Sequence, residues 1–260
     1  RAVPTVSWLS VAPVKGLALT RRDELALESF GALENRRFHL LDERGRFVNG
    51  LTRLERSLFA VAAEWEPDAD TLLLTFPDGT AVDGRVQLGE PVSTWFYNRD
   101  EPGRIVQGPW AQALSDYAGR ELRLARTDAP GRAVDRVDGS VSIVSDESVD
   151  ELARQAGVGA ADARRFRMLV GVHGGEPHLE DTWIGRDVRI GEAVVRVHEQ
   201  VARCAITTKN PDTGERDLDT LRVIKAYRGT RGEKQLDFGV YGEVTTPGRV
   251  RVGDPIEPRA

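Results

Sequence analysis

The stretch Val201-Ala202-Arg203-Cys204-Ala205-Ile206-Thr207-Thr208-Lys209-Asn210-Pro211-Asp212-Thr213-Gly214 runs from β-forming residues into a turn and carries the single cysteine of the 260-residue chain. Its apolar and β-branched residues predict a strand over 204–208 with Cys204 at its start. Arg203 beside the thiol and Lys209 downstream favour a thiolate, the form that attacks electrophiles and binds soft metals. The opposing reading makes Cys204 a small buried hydrophobe.

Working outward, further strands are predicted at 6–14, 37–41, 46–48, 58–65, 71–76 and 92–97, separated by turns such as Pro77-Asp78-Gly79. That spacing argues for a barrel or sandwich in the first hundred residues, with a boundary in 98–108. Helices are expected at 109–118, opened by Pro109 and closed by Gly119, and at 148–156, capped by Ser145 or Asp146 and closed by Gly157. A short helix is read at 160–166 and an amphipathic one at 218–227. Strands resume at 168–172, 188–190 and 193–198, and the end reads as a hairpin of 239–246 and 249–252 about Pro247-Gly248. The fold class is mostly β (α+β), divided as 1–100 and 105–260.

Thirty-six Lys and Arg against 41 Asp and Glu give a net charge of −5, which argues against a general nucleic-acid binder. One cysteine excludes an internal disulfide and a multi-cysteine metal site. No run approaches the ~20 apolar residues of a membrane span, and a reducing cytoplasm is the expected compartment. Neither a P-loop, a G-x-G-x-x-G after a strand, nor G-x-S-x-G occurs. His39, His173, His178 and His198 are all possible partner bases for Cys204, and spacing selects none of them. Gly174, Gly175 and Pro177 keep His173 and His178 off one helical face, so that segment reads as a polar loop. Basic residues concentrate at Lys15, Arg36-Arg37, Arg164-Arg165, Arg167 and Arg203, where they fit either an anion site or a solvated surface.

Beyond spacing, Arg203–Gly214 as quoted, Leu218-Asp219-Thr220-Leu221, Tyr227-Arg228, Phe238-Gly239-Val240-Tyr241 and Val252-Gly253-Asp254 resemble the molybdenum cofactor sulfurase C-terminal (MOSC) domain. The Val6–Gly16 segment, Asn35-Arg36-Arg37-Phe38 and Asp42-Glu43-Arg44-Gly45 resemble the β-barrel domain that precedes it in amidoxime-reducing enzymes. The resemblance implies an N-terminal β-barrel domain and a β-rich MOSC domain, with a molybdenum–pterin cofactor between them. It implies Cys204 as metal ligand and catalytic centre, and Lys15, Arg36, Arg167, Arg203 and Ser145 as cofactor contacts. Where amidoxime reducers carry Phe-Arg-Pro-Asn, this chain has Phe166-Arg167-Met168-Leu169; Asn35-Arg36 stands for Asp-Arg, and Asn49-Gly50-Leu51 for Thr-Ala-Arg. The implied activity is reduction of small N-hydroxylated substrates with electrons from a separate ferredoxin- or flavin-type donor protein. The alternatives are a persulfide or molybdenum-cofactor carrier using Cys204, and a cofactor-free relative.

Overall fold

Strands dominate the chain because short alternating runs recur throughout it. Glu24–Glu28 buries Leu25 and Leu27 and exposes its three polar or small positions, the period-two pattern of a half-buried strand. Val141–Ser145 is buried at every position, as befits a central strand covered on both faces. The computed structural model describes residues 3–128, 133–135 and 140–259.

An eight-stranded sheet organises the second half. Its order is Ile256–Pro258, Asp187–Ile190, Ala193–Ala202, Asp237–Thr246, Val141–Ser145, Val170–His173, Thr5–Val11 and Thr20–Arg22. Its one parallel pair aligns Ile143 with Val170. The chain's first strand therefore lies in this sheet, beside Val170–His173, and Glu24–Glu28 pairs with Gly248–Arg251. A five-stranded sheet of Gln87–Phe96, Arg99–Gln107, Leu122–Thr127, Phe38–Asp42 and Phe47–Val48 packs with a three-stranded one of Ala62–Glu66, Thr71–Thr75 and Ala81–Arg85. The fold is mostly β, with a barrel-type N-terminal half; among the described residues its five-stranded sheet runs as an open order and no closed barrel is seen.

Among the described residues three α-helices complete it. Trp110–Ala118 (α1) buries Trp110, Leu114 and Ala118 along one stripe and stops at Gly119, whose φ of 65° suits a residue without Cβ. Asp146–Ala156 (α2) takes Ser145 as N-cap, the hydroxyl accepting from Ser148 N. Thr220–Arg228 (α3) starts later than its apolar pattern suggests because Asp219 caps it. Among the described residues no helix is long and apolar enough to cross a membrane.

Four expectations change. The 98–108 stretch is not a connector: Arg99–Gln107 is a strand paired on both sides. The helix at 160–166 shrinks to a 3-10 turn, Ala163–Phe166. The C-terminal hairpin does not form, because both edges of Asp237–Thr246 are already taken, so Gly248–Arg251 crosses to Glu24–Glu28. The strand at 204–208 is instead a 3-10 turn, Ala205–Thr208. There Thr207 donates from both N and Oγ1 to the Cys204 carbonyl at 3.2 Å, and Thr208 Oγ1 donates to the Ala205 carbonyl at 2.8 Å. Threonine's β propensity yields here to side-chain bonds that close a local turn.

Candidate active site

The Ala193–Ala202 strand ends at the wall of a cleft of about 400 Å³, and the turn that follows sets Cys204 on it. The Cys204 thiol is free and exposed, so the buried-hydrophobe reading does not apply. Across the same cleft stand Lys15, Arg36 and Arg167. Each is placed by a backbone detail. Lys15 N donates to the Phe38 carbonyl at 2.8 Å, and Arg36 N to the Ala12 carbonyl at 2.8 Å. Arg36 and Arg167 both adopt left-handed backbone, with φ of 57° and 52°, which turns their side chains inward from a bend.

One carboxylate pairs with two of the three cations. Asp135 Oδ2 accepts from Lys15 Nζ at 2.6 Å and from Arg36 Nη1 at 2.7 Å. Arg36 Nη2 also donates to the Arg167 carbonyl at 2.9 Å, and Arg167 Nη2 to the Leu17 carbonyl at 2.6 Å. The Arg167 guanidinium lies 5.2 Å from the Phe59 ring centre. Burial, and then the nearby Arg36 charge, lower the Arg167 pKa to about 9. Among the described residues three cations and one carboxylate stand on this side of the cleft, in a chain whose net charge is −5.

Arg203 is used differently. Its Nε donates to the Phe238 carbonyl at 2.8 Å and its Nη1 to the Phe166 carbonyl at 3.0 Å. Its Nη2 contacts Met168 Sδ at 2.9 Å and the Phe238 carbonyl again, and the group lies 5.2 Å from the Phe166 ring centre. The residue thus ties the chain before Cys204 to two neighbouring segments. Ser145 does not line the cleft: besides capping α2, its hydroxyl donates to Glu180 Oε2 at 2.8 Å, within a fully buried group that includes Ser148.

The remaining basic residues pair off elsewhere. Arg164 binds Asp162 and Asp212, Arg165 binds Asp217, and burial with the Arg126 charge lowers Arg37 to about 10. Met168 and Leu169 are core residues, each 1% exposed. No group of three metal-ligating side chains occurs among the described residues, and His178 bonds Tyr227 Oη at 3.2 Å, apart from Cys204. Asp135, Phe59, Tyr97 and Tyr241 line the cleft without having been singled out. Tyr241 sat in a flagged motif, whereas nothing around Asp135 in the sequence announces an ion-pair hub.

The donor set fits a molybdenum–pterin group. An exposed thiol offers a soft anionic donor, and the cationic side chains of Lys15, Arg36 and Arg167 across the cleft suit a phosphate. Comparison with known proteins points the same way. Residues 126–257 match the MOSC domain model and residues 3–120 the MOSC N-terminal beta barrel domain model. The chain is 26% identical to "Mitochondrial amidoxime-reducing component 1" of Mus musculus over 290 residues, covering 98% of this chain and 82% of the relative. It is 28% identical to "Mitochondrial amidoxime reducing component 2" of Homo sapiens over 295 residues, covering 98% and 83%. A 161-residue match at 27% identity links it to "Molybdenum cofactor sulfurase" of Oryza sativa subsp. japonica, covering 57% of this chain and 19% of that protein. With both models aligned in order along nearly its whole length, the chain belongs to the MOSC domain family.

Proposed function

We propose that the chain is a molybdenum-cofactor oxidoreductase that reduces N-hydroxylated compounds with electrons from a separate donor protein. The observation that carries this reading is the exposed Cys204 thiol facing a cationic triad across one cleft. Cys204 would hold the metal as thiolate, and Lys15, Arg36 and Arg167 would hold the pterin phosphate by charge-assisted hydrogen bonds. Arg203 lines the same cleft and, through its bonds to the Phe166 and Phe238 carbonyls, would position Cys204, whereas Ser145 lies outside the cleft. When bound, the cofactor supplies two-electron oxygen-removal chemistry. For an amidoxime the balance is one N–O bond broken, two electrons and two protons consumed, and an amidine and water released. The names of the relatives, amidoxime-reducing component and molybdenum cofactor sulfurase, agree with this class of cofactor and substrate.

The test is anaerobic reduction of benzamidoxime by protein from a cofactor-producing host, with reduced methyl viologen as donor. Benzamidine should appear with the parent chain and fall to background with Cys204→Ser. Molybdenum-loaded protein that turns over no substrate with any donor would overturn the reading and assign Cys204 to a carrier role instead.

A further inference from the structure

A second groove, about 510 Å³, adjoins the Cys204 cleft and shares Gly16, Asn49, Gly50, Leu51 and Phe59 with it. One wall is the loop 50–59 and the other the hairpin 209–216. Four cations line it: Arg53, Arg56, Lys209 and Arg216. Glu55 and Glu215 line it too, leaving an excess of two positive charges. Arg56 lies over the Tyr117 ring, with 5.4 Å to its centre. Among the described residues no carboxylate comes within ion-pair distance of Arg53, Lys209 or Arg216, whereas Arg164 and Arg165 nearby are paired with Asp162, Asp212 and Asp217.

Lys209 and Arg216 are held opposite one another by an antiparallel bridge. Asn210 N donates to the Glu215 carbonyl at 2.7 Å and Gly214 N to the Asn210 carbonyl at 2.8 Å. Asn210 Oδ1 accepts from Asp212 N and Thr213 N at 2.8 and 3.2 Å. Like charges directly across a strand pair oppose folding, and this hairpin fixes two of them side by side with no carboxylate at ion-pair distance among the described residues. Burial and the Arg216 charge push the Lys209 pKa down, as expected where an anion is lacking.

We infer that this groove binds an anionic tail, a carboxylate or phosphate, on the substrate whose reacting end lies in the Cys204 cleft, with Lys209 and Arg216 as its main contacts. The identity of the reacting end rests on the reductase reading; the preference for an anion rests on the groove alone. A small molecule fits better than an acidic partner protein, because the cations line a concavity that joins the cleft.

Three benzamidoximes on one three-carbon tether test this, ending in carboxylate, phosphate or neutral carboxamide. Dissociation constants are measured by calorimetry at low and high salt, with parent and the Lys209→Gln/Arg216→Gln double variant. One of the two anions, or both, should bind the parent about tenfold more tightly than the amide at low salt, and the gap should collapse in the double variant while amide binding stays unchanged. The anion with the larger gap identifies the tail. Equal binding of all three to the parent, or a gap that survives in the double variant, would overturn the inference. Equal binding together with slower reduction by the donor protein in the double variant would assign the patch to an acidic protein partner. An anion preference without turnover of unsubstituted benzamidoxime would refute the reductase reading and leave the anion site standing; turnover without preference would do the reverse.

Discussion

Cys204 and Arg203 are neighbours with opposite commitments. The thiol is exposed and has no side-chain cap bond, so it is available; the guanidinium is tied to the Phe166 and Phe238 carbonyls. Arg203→Ala leaves the fully buried Phe238 and its carbonyl without that donor, and a loss of about 2–3 kcal/mol is expected. The shift in urea midpoint measures it, and Arg203→Lys should recover only part, since an ammonium cannot span both carbonyls at once. His178 makes a different kind of prediction. Burial, then the Arg228 charge, lower its pKa from 6.5 to about 4. The unfolded chain therefore takes up a proton between these values, so this contribution to stability is present above about 6.5 and lost as pH falls towards 4. His178→Gln should flatten the dependence of unfolding free energy on pH across that window.

Elements meet at the cleft through close approaches rather than through large side chains. A Cβ on Gly50 would lie 2.4 Å from Phe59 Cζ and 2.5 Å from Ile206 Cδ1, and one on Gly214 would lie 2.0 Å from Ser57 Oγ. The loop and the Cys204 turn thus seat against each other only where a side chain is missing. Gly50→Ala is expected to cost about 1–3 kcal/mol by overpacking and to loosen the cleft; thermal unfolding and metal retention after gel filtration report the two effects separately. Helix positions were legible in the sequence because their caps are local: Pro109, Ser145, Gly119 and Gly157 stand where Trp110–Ala118 and Asp146–Ala156 begin and end. The 3-10 turn at Cys204 was not, because Thr207 and Thr208 carry the same β propensity whether they pair in a sheet or bond back to their own chain.

At the scale of the whole molecule, what sequence patterns left out is partnership. Thr5–Val11 reads as a strand, but its neighbour Val170–His173 lies more than 150 residues away, and no periodicity names it. The penultimate strand Gly248–Arg251 likewise finds Glu24–Glu28 rather than its sequence neighbour. Charge behaves similarly: a total of −5 conceals Lys15, Arg36 and Arg167 gathered on one cleft from three distant segments. Resemblance to the MOSC pattern identified these residues with Cys204; the fold brings them together, while Ser145 lies elsewhere. The central claim, that Cys204 is the protein's ligand to molybdenum in this cleft, is tested most directly by elemental analysis of parent and Cys204→Ser purified from a cofactor-producing host. Close to one molybdenum per parent chain is expected, with loss of the metal in the variant and an unchanged fold because the side chain is exposed. Equal molybdenum in both proteins, or none in the parent, would contradict it.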